Sequence, residues 1–131
     1  GGTDFAWIEN QRRNHPLAFF NGWGHSTLES LLSVKDKVNV DLIASGGIRN
    51  AMDIAKALAA GAKAVGLSSY FLKLVSHHTV EEAIERVENL KEDLRMICCV
   101  LDAPSIEALR KVPFILDFEL ANRIEQLKKT G

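Results

Sequence analysis

Ile43-Ala44-Ser45-Gly46-Gly47-Ile48-Arg49-Asn50 is the stretch on which the fold turns. An apolar run ends in two glycines and passes directly into a helical segment, Ala51 to Ala60, closed by Gly61. A buried strand that turns tightly into a helix leaves backbone N–H groups unpaired where no bulky side chain stands. That is the chemistry of an anion site, a phosphate above all.

Outward from this stretch the pattern repeats. Val40-Asp41-Leu42-Ile43-Ala44 and Ala64-Val65-Gly66-Leu67 are short and apolar enough to predict parallel strands buried on both faces. Asn50 predicts an N-cap, and Met52, Ile54, Ala55, Leu58 and Ala59 keep helical spacing up to a C′ glycine at Gly61. The second strand runs into Ser68-Ser69 and a short helix over Tyr70 to Val75. Two strand-loop-helix units in tandem predict parallel strands joined by crossovers, the α/β class.

Before them, Ser26 or Thr27 caps a helix carrying Leu28, Leu31, Leu32 and Val38, and Glu29 completes a capping box only with Ser26. After them, Thr79-Val80-Glu81-Glu82 opens the longest helix. Val80, Ala83, Ile84, Val87, Leu90, Leu94, Ile97 and Leu101 form its apolar face, and its charge run is a solvated face. Ser105 to Lys111 predicts a short helix, Phe114 to Leu116 an edge strand, and Leu120 to Lys129 a last amphipathic helix. Residues 1–24 hold both tryptophans, Trp7 and Trp23, with Phe5, Phe19 and Phe20. They read as a long loop with one helical turn, the aromatics packing beneath it.

The bulk properties bound the function. At 131 residues, net charge −1 and 47% hydrophobic, the chain is an ordinary single-domain length with no global basic field for nucleic acid or an anionic membrane. Its apolar runs fall far short of the ~20 residues that span a bilayer, and no leader pattern opens it, so a cytoplasmic location is expected. Cys98 and Cys99 are adjacent, with neither disulfide nor metal-ligand geometry, and His15, His25, His77 and His78 show no ligand spacing. Gly1-Gly2-Thr3, with no initiator methionine, predicts a start inside a domain.

Two strand ends are candidates for one phosphate cage. The Ser45 to Arg49 loop offers N–H groups and the Arg49 guanidinium, and Ser68-Ser69 offers further N–H groups; Gly1-Gly2-Thr3 reads as a third strand's exit loop with the Thr3 hydroxyl available to a ligand, a weak signal as an isolated triplet.

These residues resemble a known family. Gly1 to Phe5, Asn14-His15-Pro16, Phe19 to Gly24, Ile43 to Asn50 and Ala108-Leu109-Arg110-Lys111-Val112-Pro113 together are similar to the FMN-dependent (type 2) isopentenyl-diphosphate isomerases. The resemblance runs along essentially the whole chain and implies the C-terminal part of a TIM (β/α)8 barrel. Its segments would be a loop after a preceding strand over 1–25, two βα units over 26–101 and a helical extension over 102–131.

It implies that Thr3, Gly47, Ile48, Arg49, Ser68 and Ser69 contact FMN, with NADPH keeping the flavin reduced. It also implies Mg²⁺ on the isopentenyl or dimethylallyl diphosphate, its ligand outside this chain, and a homo-oligomeric full-length enzyme. The catalytic residues would lie elsewhere, so that this piece alone is expected to be silent. Where the family commonly has Ala-Gly, this chain has Ser68-Ser69, which would be strained if φ at Ser69 were positive. The glycine loop by itself fits two further readings: a phosphate-binding barrel of the inosine-monophosphate dehydrogenase type, and a non-catalytic phosphate-binding fragment.

Overall fold

The computed structural model describes residues 4–129. Seven helices and two short strands run in the order α1 (Phe5–Arg12), α2 (Thr27–Val34), β1 (Ile43–Ser45), α3 (Ala51–Ala59), β2 (Ala64–Gly66), α4 (Ser68–His77), α5 (Val80–Val100), α6 (Ile106–Leu109) and α7 (Phe118–Lys129). A 3₁₀ turn, Ala18–Phe20, lies between α1 and α2.

The expected pair of parallel strands is present, with Ile43 opposite Ala64, Ala44 opposite Val65 and Ser45 opposite Gly66. The expected barrel portion is not. The fold is mostly helical, and its sheet consists of two three-residue strands open at both edges, which is neither a (β/α)8 barrel nor a part of one. Closing a barrel needs a continuous ring of staggered strands. Here the helices instead pack largely on one another, α3 against α5 and α2 against α7.

The strands are accordingly not buried on both faces. Ala44 is buried, but Ile43 on the opposite face is 71% exposed, because no described element covers that side. Phe114 to Leu116 forms no strand either; among the described residues it meets no edge to pair with, and Ile115 is fully in solvent.

The core is built around α3. Ile54, Ala55, Ala57 and Leu58 meet Leu31 and Leu32 of α2, Ala44 of β1, Ile48, Leu109 and Ile124. Alanines at Ala51, Ala55 and Ala57 let neighbouring helices approach closely, and Leu90, Leu94 and Ile97 of α5 reach the same cluster. The N-terminal half of the α5 face does not: Val80 and Ile84 are exposed.

Local signals decide the helix ends. Ser26 caps α2 and Thr79 caps α5, each with a reciprocated capping box through Glu29 and Glu82. Helix α2 stops at Val34, so Val38 lies outside it. Past α3, Gly61 has φ +114; Ala62 N donates to Ala57 O at 3.0 Å and Gly61 N to Leu58 O at 3.0 Å, a Schellman closure. Helix α5 ends in the same pair of bonds, Ala103 N to Cys98 O and Asp102 N to Cys99 O, with Asp102 at φ 50 in the glycine position.

Residues 4–24 hold more regular structure than a loop. Asp4 caps α1, its Oδ1 accepting from Trp7 N at 2.8 Å and its Oδ2 from Gly22 N at 2.7 Å. Buried Asn10 accepts from Leu17 N and donates to Leu17 O and Asn21 Oδ1. These two side chains clasp the aromatic segment onto α1. The aromatics do not pack beneath it as expected: Phe19 and Trp23 are more than 70% exposed, with Phe20 tilted between them at centroid distances of 4.6 and 5.3 Å.

Candidate functional site

The parallel register places Ser45 beside Gly66, so both following loops leave the same end of the sheet. The approach is close: a Cβ on Gly66 would come within 2.9 Å of Ser45 Oγ. Carboxyl ends of adjacent parallel strands are where open α/β sheets hold ligands.

After β1 the chain turns through Gly46 at φ +98 and Gly47 at φ +71, conformations that favour glycine at both positions. Among the described residues, no backbone acceptor meets the N–H groups of Gly46, Gly47 or Ile48. Ile48 sends its side chain into the core, 6% exposed, so only its backbone can face a ligand. Asn50 caps α3, its Oδ1 accepting from Asp53 N at 2.9 Å, while Asp53 Oδ2 accepts from Arg49 N at 3.0 Å. The Arg49 N–H is therefore committed, and Arg49 can serve a ligand only through its exposed guanidinium, which has no ion pair among the described residues.

After β2, helix α4 begins at Ser68, earlier than the expected start at Tyr70. Its N-cap, Leu67, supplies no side-chain acceptor, and the first intrahelical bond runs from Phe71 N to Leu67 O at 3.1 Å. Ser68 and Ser69 thus present first-turn N–H groups that no cap occupies, at the positive end of a ten-residue helix. The condition for strain at Ser69, a positive φ, is not met, since Asp102 is the one non-glycine residue with positive φ among those described.

The structure therefore brings Gly47, Ile48, Arg49, Ser68 and Ser69 to one end of the sheet. Thr3 lies outside the described residues. One contributor escaped the sequence reading, which took Thr27 only as a possible cap. Its Oγ1 lies 2.6 Å from Gly46 O and 3.0 Å from Ser45 O. Its position beside a capping serine concealed that role.

The donor set suits a phosphate: backbone N–H groups from two loops, a helix N-terminus and a guanidinium without an ion pair among the described residues. Asp53, in the first turn of α3, is tied to Arg49 N. An apolar groove of 580 Å³ between α3, α5 and residues 112–117 contains none of these residues.

A family model described as FMN-dependent dehydrogenase matches residues 23–112, which include both loops. The chain belongs to this family. It is also homologous to the C-terminal part of proteins named isopentenyl-diphosphate delta-isomerase. It is 48% identical over 129 residues to that of Streptococcus gordonii strain Challis, covering 98% of this chain and 38% of the relative. It is 49% identical over 117 residues to that of Streptococcus mutans serotype c (88% and 35%), and 43% identical over 130 residues to that of Staphylococcus haemolyticus (96% and 37%). The chain thus spans little more than a third of the length of these curated relatives. The family resemblance seen in the residues is confirmed; the barrel it implied is the part that the fold corrects.

Proposed function

We propose that this chain supplies the FMN-phosphate site of a flavoenzyme that isomerises isopentenyl diphosphate to dimethylallyl diphosphate in isoprenoid biosynthesis. The observation that carries the reading is the placement of two sets of N–H groups without a backbone acceptor, Gly46 to Ile48 and Ser68-Ser69, in the loops that follow neighbouring parallel strands. Membership in an FMN family and the names of the relatives support it.

In this reading Gly47, Ile48, Ser68 and Ser69 hold the phosphate oxygens through backbone N–H groups, and Arg49 adds a charge-assisted bond. Thr3 adds its hydroxyl. The rigid α3 and α4 termini fix the phosphate, and with it the register of the ring system at the reacting centre. Bound there and kept reduced by NADPH, FMN would supply the chemistry of proton transfer at the allylic carbon. Mg²⁺ belongs on the substrate diphosphate, its ligand outside this chain. We further place the full-length enzyme in the cytoplasm as a homo-oligomer that takes neither nucleic acid nor membrane as partner.

Full-length protein with FMN, NADPH and Mg²⁺ is expected to interconvert the two diphosphates, followed by proton NMR; bound flavin without turnover overturns the isomerase reading. Arg49→Ala is expected to weaken FMN by about 1–3 kcal/mol, the range for a bond to a charged group. Riboflavin, which lacks the phosphate, should bind unchanged; unaltered FMN affinity would remove Arg49 from the site.

A further inference from the structure

We infer that Thr27 is a positioning residue for the phosphate site, its hydroxyl turning the Gly46 and Gly47 N–H groups toward one anion. This rests on the reading of that loop as a phosphate site.

Successive carbonyls of an extended strand point alternately to opposite sides, and so do the N–H groups. At the end of β1 this alternation is broken. Ser45 O and Gly46 O both lie within hydrogen-bonding distance of the one Thr27 Oγ1, at 3.0 and 2.6 Å. The described peptide bonds are all trans, and in a planar trans peptide the carbonyl and the N–H point in opposite directions. The Ser45–Gly46 peptide therefore directs Gly46 N–H away from Thr27, and the Gly46–Gly47 peptide does the same with Gly47 N–H.

Two consecutive N–H groups on one side form an anion-binding nest. Reaching this arrangement requires the positive φ of Gly46 (+98). Glycine permits that conformation without selecting it; the hydroxyl between the two carbonyls selects it. Thr27 is itself held, because Ser26 caps α2 through its capping box and Leu31 and Leu32 of α2 are in the core. The first turn of α2 thus sets the orientation of donors beyond the end of β1.

The test compares FMN and riboflavin affinities of full-length wild type, Thr27→Val and Thr27→Ser, with the amide resonances of Gly46 and Gly47 recorded in the flavin-free proteins. Thr27→Val keeps the shape and removes the hydroxyl. It is expected to weaken FMN roughly 5–10-fold, the scale of one misoriented hydrogen bond, with riboflavin unchanged and both glycine amides shifted. Thr27→Ser should restore both.

If wild type holds FMN no better than riboflavin, the phosphate reading falls and this inference with it. If wild type prefers FMN and Thr27→Val keeps the same preference, the inference falls alone. Should Thr27→Val fail to fold, Thr27→Ala against Thr27→Ser makes the same comparison, and equal FMN affinity in the two overturns it.

Discussion

Glu29 shows how one side chain joins local and distant structure. Its Oε2 accepts from Ser26 N at 2.6 Å, and its Oε1 accepts from Arg123 of α7 at 3.1 Å. The Ser26 N–H, then the Ser26 hydroxyl and the Arg123 guanidinium, hold its carboxyl below the ordinary 4.5. A carboxylate whose pKa is lowered by folding adds stability that is complete above its unfolded value and is lost as pH falls through the folded one. Chemical denaturation at a series of pH values should therefore show stability falling below about pH 4.5, with a shallower fall in Glu29→Gln. At pH 7 the glutamine variant should be less stable by about 1 kcal/mol, the difference between charged and neutral acceptors. Capping box and helix start were legible at Ser26-Thr27-Leu28-Glu29; the Arg123 partner was not, because nothing local links positions so far apart in the chain.

At the scale of the element, α3 and α5 end in the same Schellman geometry with different residues at C′. Gly61 has φ +114, and a Cβ there would meet only Lys35 Cδ at 3.5 Å, so the cost of a side chain is backbone strain rather than collision. Gly61→Ala should lower stability by about 1 kcal/mol, and Asp102→Gly should raise it by up to about 1 kcal/mol. Thermal melts of both variants check the pair; equal shifts of one sign would contradict it. The sequence marks the first closure with a glycine and conceals the second, since an aspartate does not signal a left-handed C′ position as a glycine does. Strand character misled in a similar way. The apolar run Leu42-Ile43-Ala44 predicts burial on both faces, but whether a face is covered depends on which elements arrive beside it.

Across the whole molecule, stability rests on the packing of helices around α3. Leu109, 1% exposed, is the largest fully buried side chain among the described residues and joins α6 to that cluster. Arg110 beside it donates from Nη2 to Ala62 O at 2.9 Å, anchoring the end of α3. Leu109→Ala should cost about 2–5 kcal/mol through lost burial and the cavity left behind. Urea denaturation reads this as a lower midpoint at unchanged slope. A loss under 1 kcal/mol would show that the site collapses around the smaller side chain.

The sequence by itself determined the local features: the caps at Ser26, Asn50 and Thr79, the Gly46-Gly47 turn, the Gly61 closure and the parallel strand pair. The caps and turns depend on backbone preferences and hydrogen bonds within a few residues, which travel with the residues themselves, and the strand pair was legible from the repeated strand-loop-helix pattern although its register joins Ile43 to the distant Ala64. It also carried the family, through the motifs spread from Gly1 to Pro113. Only the tertiary structure decided that the elements pack as a mostly helical assembly around an open two-stranded sheet, that the aromatics near Trp23 face outward, and that Thr27 reaches across to the glycine loop. Those outcomes depend on which surfaces meet, and a run of apolar residues specifies that a face is to be covered without specifying by what.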